Sequence, residues 1–271
     1  MNLLTQIRRT WFWKAWFDLL TAVQFLTRLR VPSVPYEPDS LARAVKFFPI
    51  VGLMIGSGSA VLYLALSPHL PLPIVALFIV VYLVAITGCF HEDGLADSAD
   101  GFGGGWDRDR VLAIMRDSRI GTYGAAALVL SVLARVLLIA SLPRTQIGAY
   151  LMAAPVLSRW TTLPLSFYIA PARDQSPDSG KDQVDRQGDG QGARIARLTT
   201  PSSLIIGSLL TFVIVFALLR VRAFIPVLVC AGITLLTGLY YKRRIGGITG
   251  DCFGATNQLA EIAVYLCGVW A

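Results

Sequence analysis

The chain has 271 residues, 55% hydrophobic and 15% charged, with a formal net charge of +7. That is too apolar for a soluble domain of this size. No module interleaving basic and aromatic residues accompanies the positive excess, so nucleic-acid binding is not expected; the excess fits membrane topology and attraction to anionic lipid.

The amino-terminal region, 1–46, is amphipathic. Trp11, Phe12, Trp13, Trp16 and Phe17 stand beside Arg8, Arg9 and Lys14, as in a helix lying on the cytoplasmic leaflet. Lys14 and Asp18 interrupt its apolar stretch and no small-residue cleavage site follows, so it is not read as a cleavable signal. An imperfect eighth span is the other reading of this segment. Uncharged runs of about 20 residues, the length a bilayer core demands, then occupy 47–66, 70–90, 201–219 and 223–241. The runs 121–142, 146–170 and 252–271 each admit one charge: Arg135, Arg159 and Glu261. Barrel strands would alternate in polarity at every second residue, and these runs do not.

The expected fold is therefore all-α: a polytopic integral membrane protein of about seven transmembrane helices with an N-terminal interfacial amphipathic helix. The whole of 1–271 is read as one membrane domain. Lys and Arg number 19 across 1–46, 91–120, 171–200 and 242–251, against three in the opposite loops. The positive-inside rule puts the former group in the cytoplasm. The 171–200 segment is rich in Asp, Gln, Gly and Arg, and reads equally as a lid or as a linker. The four cysteines lack metal-type spacing and read as inert buried thiols.

Chemistry concentrates in CFHEDGLADSADGFGGGWDRDRVLAIMRDSRIGTYG, residues 89–124, where seven carboxylates follow an apolar run. Asp93, Asp97 and Asp100 fall at i, i+4 and i+7, one narrow face of a helix. Stacked carboxylates repel, and the array becomes tolerable with a hard cation among the oxygens. Mg²⁺ suits, since it takes a few carboxylates together with waters and substrate phosphates. Gly103, Gly104 and Gly105 would let backbone amides approach an anion. Arg108, Arg110, Arg116 and Arg119 follow, with Arg116, Asp117, Ser118 and Arg119 a compact phosphate-binding candidate. His91 lacks the second histidine of a zinc-protease motif and reads as a general base or a packed residue.

A second constellation is IGGITGDCFGATNQLAE, 245–261. Asp251 opens the last apolar run and Glu261 lies inside it; an acid in a span is a functional candidate by default. The same rule flags Arg159, read as a phosphate ligand, and Arg135, read as structural. Asp251 and Glu261 join the metal candidates. Gly247, Thr249, Gly250 and Asn257 join the substrate-binding candidates.

His91, Asp93-Gly94-Leu95-Ala96-Asp97 and Asp100-Gly101, followed by 114–124 (IMRDSRIGTYG), resemble the central signature of the cobalamin synthase family, the adenosylcobinamide-GDP ribazoletransferases. The resemblance extends to Phe25-Leu26-Thr27-Arg28-Leu29, to Phe48-Pro49-Ile50-Val51-Gly52, to Ser158-Arg159 and to Gly246-Gly247, Thr249-Gly250-Asp251 and Gly254-Ala255. It implies a multi-span enzyme of the bacterial inner membrane with cytoplasmic active-site loops, dependent on Mg²⁺. The reaction it implies joins adenosylcobinamide-GDP to α-ribazole, or its 5′-phosphate, and releases GMP. Asp93 matches the key motif aspartate, with Asp97 and Asp100 completing the array; catalysis would fall to Asp93, Asp97 and His91. Glu92 departs from the pattern, as an outer-shell ligand or a water-facing side chain. Membrane lipids are the other expected partner, and a homo-oligomer is left open. A CDP-alcohol phosphatidyltransferase is the alternative, but Asp97 stands where that pattern requires arginine. A cation transporter is the distant one.

Overall fold

The computed structural model describes residues 11–32, 39–172 and 191–270. Residues 1–10, with Arg8 and Arg9, and most of the 171–200 segment lie outside these, and the lid-or-linker question with them.

Among the described residues the chain is helical throughout, apart from turns and an isolated parallel bridge between Pro171 and Ile248. Helix α1 (Trp11–Leu26) turns its polar interruption inward. Asp18, 2% exposed, accepts from Arg43 at 3.2 Å and Lys46 at 2.9 Å, while Trp13 and Trp16 stay exposed. The short α2 (Ser40–Ala44) runs through one 3₁₀ turn into α3 (Phe48–Leu66). Next comes α4 (Leu72–Thr87), a wholly apolar helix that ends at Gly88 (φ 66) and Cys89 (φ 62). Two successive left-handed residues are a sharp stop, and α5 (Phe90–Gly104) leaves at 89° to α4.

After α6 (Arg108–Ile114) the chain re-enters apolar helix as α7 (Thr122–Ser141), then α8 (Ile147–Trp160) and α9 (Thr162–Tyr168). The remaining helices are α10 (Gln191–Leu198), α11 (Pro201–Leu219), α12 (Phe224–Ile245) and α13 (Gly250–Trp270). Arg220, at φ 52, breaks α11 from α12. Gly207 of α11 meets Leu163 and Gly238 of α12 meets Leu165, so both arms return to α9 and the chain reverses at that break.

Three helical stretches are long and apolar enough to cross a membrane: Ser40–Leu66, Thr122–Ser141 and Pro201–Ile245. A fourth arises if α4 and α5 count as one bent span. The seven runs expected from sequence are all helical, but the count of seven is not reached by length and composition. Helices α4 and α8 have 16 and 14 residues, and α13 carries Asp251, Asn257, Gln258 and Glu261.

Glycine sets the closest helix crossings, as small residues do where helices must approach without a hydrophobic driving force. A Cβ on Gly56 would lie 2.6 Å from Leu151 O, the carbonyl that Pro155 leaves without its helical donor. Helix α8 is thereby locked into the centre of the main core, buried from Tyr150 to Trp160 apart from Met152. A smaller cluster of Val111, Leu112, Met115, Tyr241, Ile245 and Phe253 lies beneath the loops around α5 and α13.

Candidate active site

Helices α5 and α13 meet through backbone. A Cβ on Gly94 would come within 2.8 Å of Asp251 O and 3.1 Å of Gly254 Cα; one on Gly254 would meet His91 O at 3.2 Å. No side chain fits between the helices there, so the acidic edge of α5 is brought to the acidic start of α13. Thr249 caps α13, its hydroxyl accepting from Cys252 N at 3.4 Å and facing Asp251 Oδ2 at 3.2 Å. Beside this crossing is a cavity of about 630 Å³, inside the size range of small-molecule sites. His91, Asp93, Arg116, Thr249, Gly250 and Asp251 line it. Those six sequence-predicted residues are brought together.

Asp97, one turn beyond Asp93 and half-buried, stands behind the cavity wall. Its carboxyl is raised to about 7, first by burial and then by Asp251, Asp93 and Asp100. Charge of one sign has been gathered here from two helices. Among the described residues no three acidic, His or Cys side chains converge tightly enough to enclose an ion by themselves. Mg²⁺ does not ask for that: one or two carboxylates, waters and substrate phosphates complete its shell. The donor set therefore fits a metal shared with a phosphorylated substrate.

Asp100 departs from its expected role. It is buried, and its two oxygens accept from the backbone N–H of Gly121 (2.7 Å) and Gly124 (2.9 Å). It caps the start of α7 from a neighbouring helix, satisfying donors that the first helical turn leaves open. The same pair of bonds fixes the loop carrying Arg116 to Arg119 relative to α5.

Glu261 and Arg159 depart further. Glu261 Oε2 accepts from Arg159 Nη1 at 2.9 Å; Arg135 Nη1 donates to Glu92 at 2.9 Å and lies 3.8 Å from Glu261. Gln258 bridges Glu92 to Ser131. None of the four charged residues is more than 6% exposed. Two acids and two arginines thus form a neutral network inside the bundle. Glu261 is not placed as a metal ligand, nor Arg159 as a phosphate ligand, and Glu92 does not face water. The acid of a transport path would need to exchange partners, whereas this one is held between two guanidiniums. The reading of Arg135 as structural agrees with its pairing. His91 lies between network and cavity; burial, then Arg159 and Arg135, holds its imidazole well below the ordinary range.

The triple glycine makes no anion cradle. A Cβ on Gly103 would strike the Tyr123 ring at 2.6 Å, and one on Gly105 would meet Val111 and Gly101 O at 2.6 and 2.7 Å. These glycines let α5, α6 and α7 approach one another. Gly247 similarly packs against the backbone of Ala172. Arg119 is exposed and Asp117 half-buried, and the two bond each other at 2.6 Å, with Asp117 lowered to about 2 by those bonds. Ser118 and Asn257 do not line the cavity; Asn257 is buried with its Oδ1 unpartnered. Cys89 is exposed, against the expectation of burial.

Sequence reading missed other residues of the lining: Gln24 and Phe25 of α1, Phe48 of α3, Phe90 and Phe253. Phe25 and Phe48 stood in the resembling segments, but aromatic residues in an apolar chain carry no mark separating a cavity wall from a core.

The chain matches a family model described as cobalamin-5-phosphate synthase over residues 18–269. It is 38% identical to an adenosylcobinamide-GDP ribazoletransferase of Sinorhizobium medicae, over 96% of this chain and 97% of that one. It is 36% identical to one of Polaromonas sp. strain JS666 (92% and 95%) and 35% identical to one of Vibrio parahaemolyticus (91% and 89%). No solved structure matches it.

Proposed function

The chain belongs to the cobalamin-5-phosphate synthase family, and from that premise we propose how its cavity works. The enzyme carries out the final assembly of cobalamin, joining adenosylcobinamide-GDP to α-ribazole. The observation that carries the site assignment is the Gly94–Gly254 crossing, which sets Asp93 and Asp97 against Asp251 beside a cavity lined by Arg116.

In this reading Asp93, Asp97 and Asp251 hold Mg²⁺. When bound, the ion supplies positive charge for the diphosphate of the GDP moiety. Arg116 grips non-bridging phosphate oxygens with its planar fork. The cavity aligns a secondary ribose hydroxyl of α-ribazole, one left free whether or not the 5′ position is phosphorylated, with the phosphorus that bears cobinamide. A new P–O bond forms as the bond to GMP breaks, and the hydroxyl proton passes to a carboxylate oxygen of Asp93. His91 is the poorer base, because burial and two arginines oppose its protonation. The buried network serves as a rigid floor beneath His91 and α5. Asp93, Arg116 and Asp251 stand on the side to which the Lys and Arg count assigns the cytoplasm, so the site faces the inner leaflet of the bacterial inner membrane.

The test is reconstitution in lipid with adenosylcobinamide-GDP, α-ribazole and Mg²⁺, with cobalamin followed by chromatography. Product that forms equally well after chelation of divalent ions would remove the metal from this account.

A further inference from the structure

Beside its carboxylates, the cavity is lined by rings. Phe25 stacks on Phe48 with centroids 5.6 Å apart and planes 18° from parallel. Phe90 meets Phe25 edge-on at 5.1 Å and His91 edge-on at 5.3 Å. Phe48 is 1% exposed and Phe90 43%, so the cluster is anchored at one end and open at the other. An open ring beside water costs free energy that a flat apolar partner would recover.

Two planar groups enter the reaction: the guanine of the GDP moiety and the benzimidazole of α-ribazole. Guanine presents an amide N–H, an amino group and a carbonyl at its edge, and burying these unpaired is expensive. Gln24, Leu26 and Phe253 line the same cavity as the rings, and Gln24 directly precedes Phe25 on α1. Benzimidazole needs less. Its six-membered ring is apolar, and its imine nitrogen wants one donor, which a glutamine amide supplies. Position agrees as well: Phe90 and Asp93 are three residues apart on α5 and share a face. A base lying on Phe90 therefore leaves its ribose at the acidic edge. The corrin of the other substrate is too large to be enclosed with its nucleotide in this cavity, and stays outside.

We propose that Phe25 and Phe90, together with Gln24, form the subsite for the benzimidazole base of α-ribazole. The assignment rests on the transferase reading above.

It is tested on the full-length protein in nanodiscs by calorimetric titration with α-ribazole alone and with adenosylcobinamide-GDP alone. Phe90→Leu removes an exposed ring without opening the core and should weaken α-ribazole binding about tenfold, leaving adenosylcobinamide-GDP within about twofold. Phe90→Tyr, which keeps the ring, should restore α-ribazole to within about threefold of the unaltered protein. Gln24→Leu should weaken it about fivefold. Unchanged α-ribazole binding in Phe90→Leu overturns the subsite, as does a loss falling on adenosylcobinamide-GDP. Because titration needs no turnover, failure of the unaltered protein to make cobalamin strikes the transferase reading separately.

Discussion

Two groups of carboxylates lie within a few turns of each other on α5 and α13 and have opposite electrostatics. Glu92 and Glu261 are buried, and each is met at 2.9 Å by an arginine from a third helix, Arg135 or Arg159. Asp93 and Asp251 line a cavity, and Asp97 behind them is pressed up to about 7 chiefly by burial and by its acidic neighbours. Neighbouring residues of α5, Glu92 and Asp93, belong to different groups because they point to different sides of the helix. In the interior the protein supplies its own cations, since an unpaired charge there would be prohibitive. At the cavity the carboxylates instead meet charges of their own sign, Asp97 standing near both Asp93 and Asp251.

The largest test of this contrast is Arg159→Gln. It leaves Glu261 buried without its closest partner and should lower stability by about 3–5 kcal/mol, seen as early thermal unfolding in detergent. Replacing Arg159 and Glu261 together by leucine should cost clearly less. Equal losses in the two proteins would mean the network is not the neutral unit described. Asp93→Asn should do the reverse: kcat/KM falling about 10²–10³-fold with the unfolding temperature unchanged. If that variant unfolds early, Asp93 belongs with the structural group.

Asp100→Asn probes the residue between the two groups. Losing the charge on its bonds to Gly121 and Gly124 should cost about 1–2 kcal/mol of stability, with activity falling less than in Asp93→Asn. A drop as deep as that of Asp93→Asn would return Asp100 to the metal set. The smallest effect is in pH. Folded Asp97 keeps its proton up to about 7, whereas an unperturbed aspartate releases it near 3.8. Between those values the folded state binds more protons, so metal-free stability should fall as pH rises from about 4 to about 7. Mg²⁺ should offset that fall at pH 8 and do little at pH 5, in paired thermal scans. A magnesium effect independent of pH would detach Asp97 from the metal.

Much of the cavity's acidic side was legible in the sequence. Helical spacing put Asp93 and Asp97 on one edge, and the cost of an acid near a span drew notice to Asp251. The same spacing misassigned Asp100, because a helical face says nothing about where a third helix begins to cover it. Arg159 and Glu261 are 102 residues apart and Arg135 and Glu92 are 43 apart. No local pattern encodes such pairings, so charges in spans looked available for substrate when they were already matched. The triple glycine failed for a different reason: a missing Cβ admits a phosphate or a neighbouring ring equally well, and the Tyr123 ring occupies that space.

The contact between Gly94 and Gly254 has a consequence for how this centre can change. A gap set by two Cα atoms acts as a ruler with no adjustable screw, since no rotamer can widen or narrow it. Variation can exchange the rings, amides and acids hung around the cavity, and so retune which base or nucleotide is welcomed. A single methyl at either glycine would instead wedge the two helices apart, putting Asp251 out of step with Asp93 and Asp97 at a stroke.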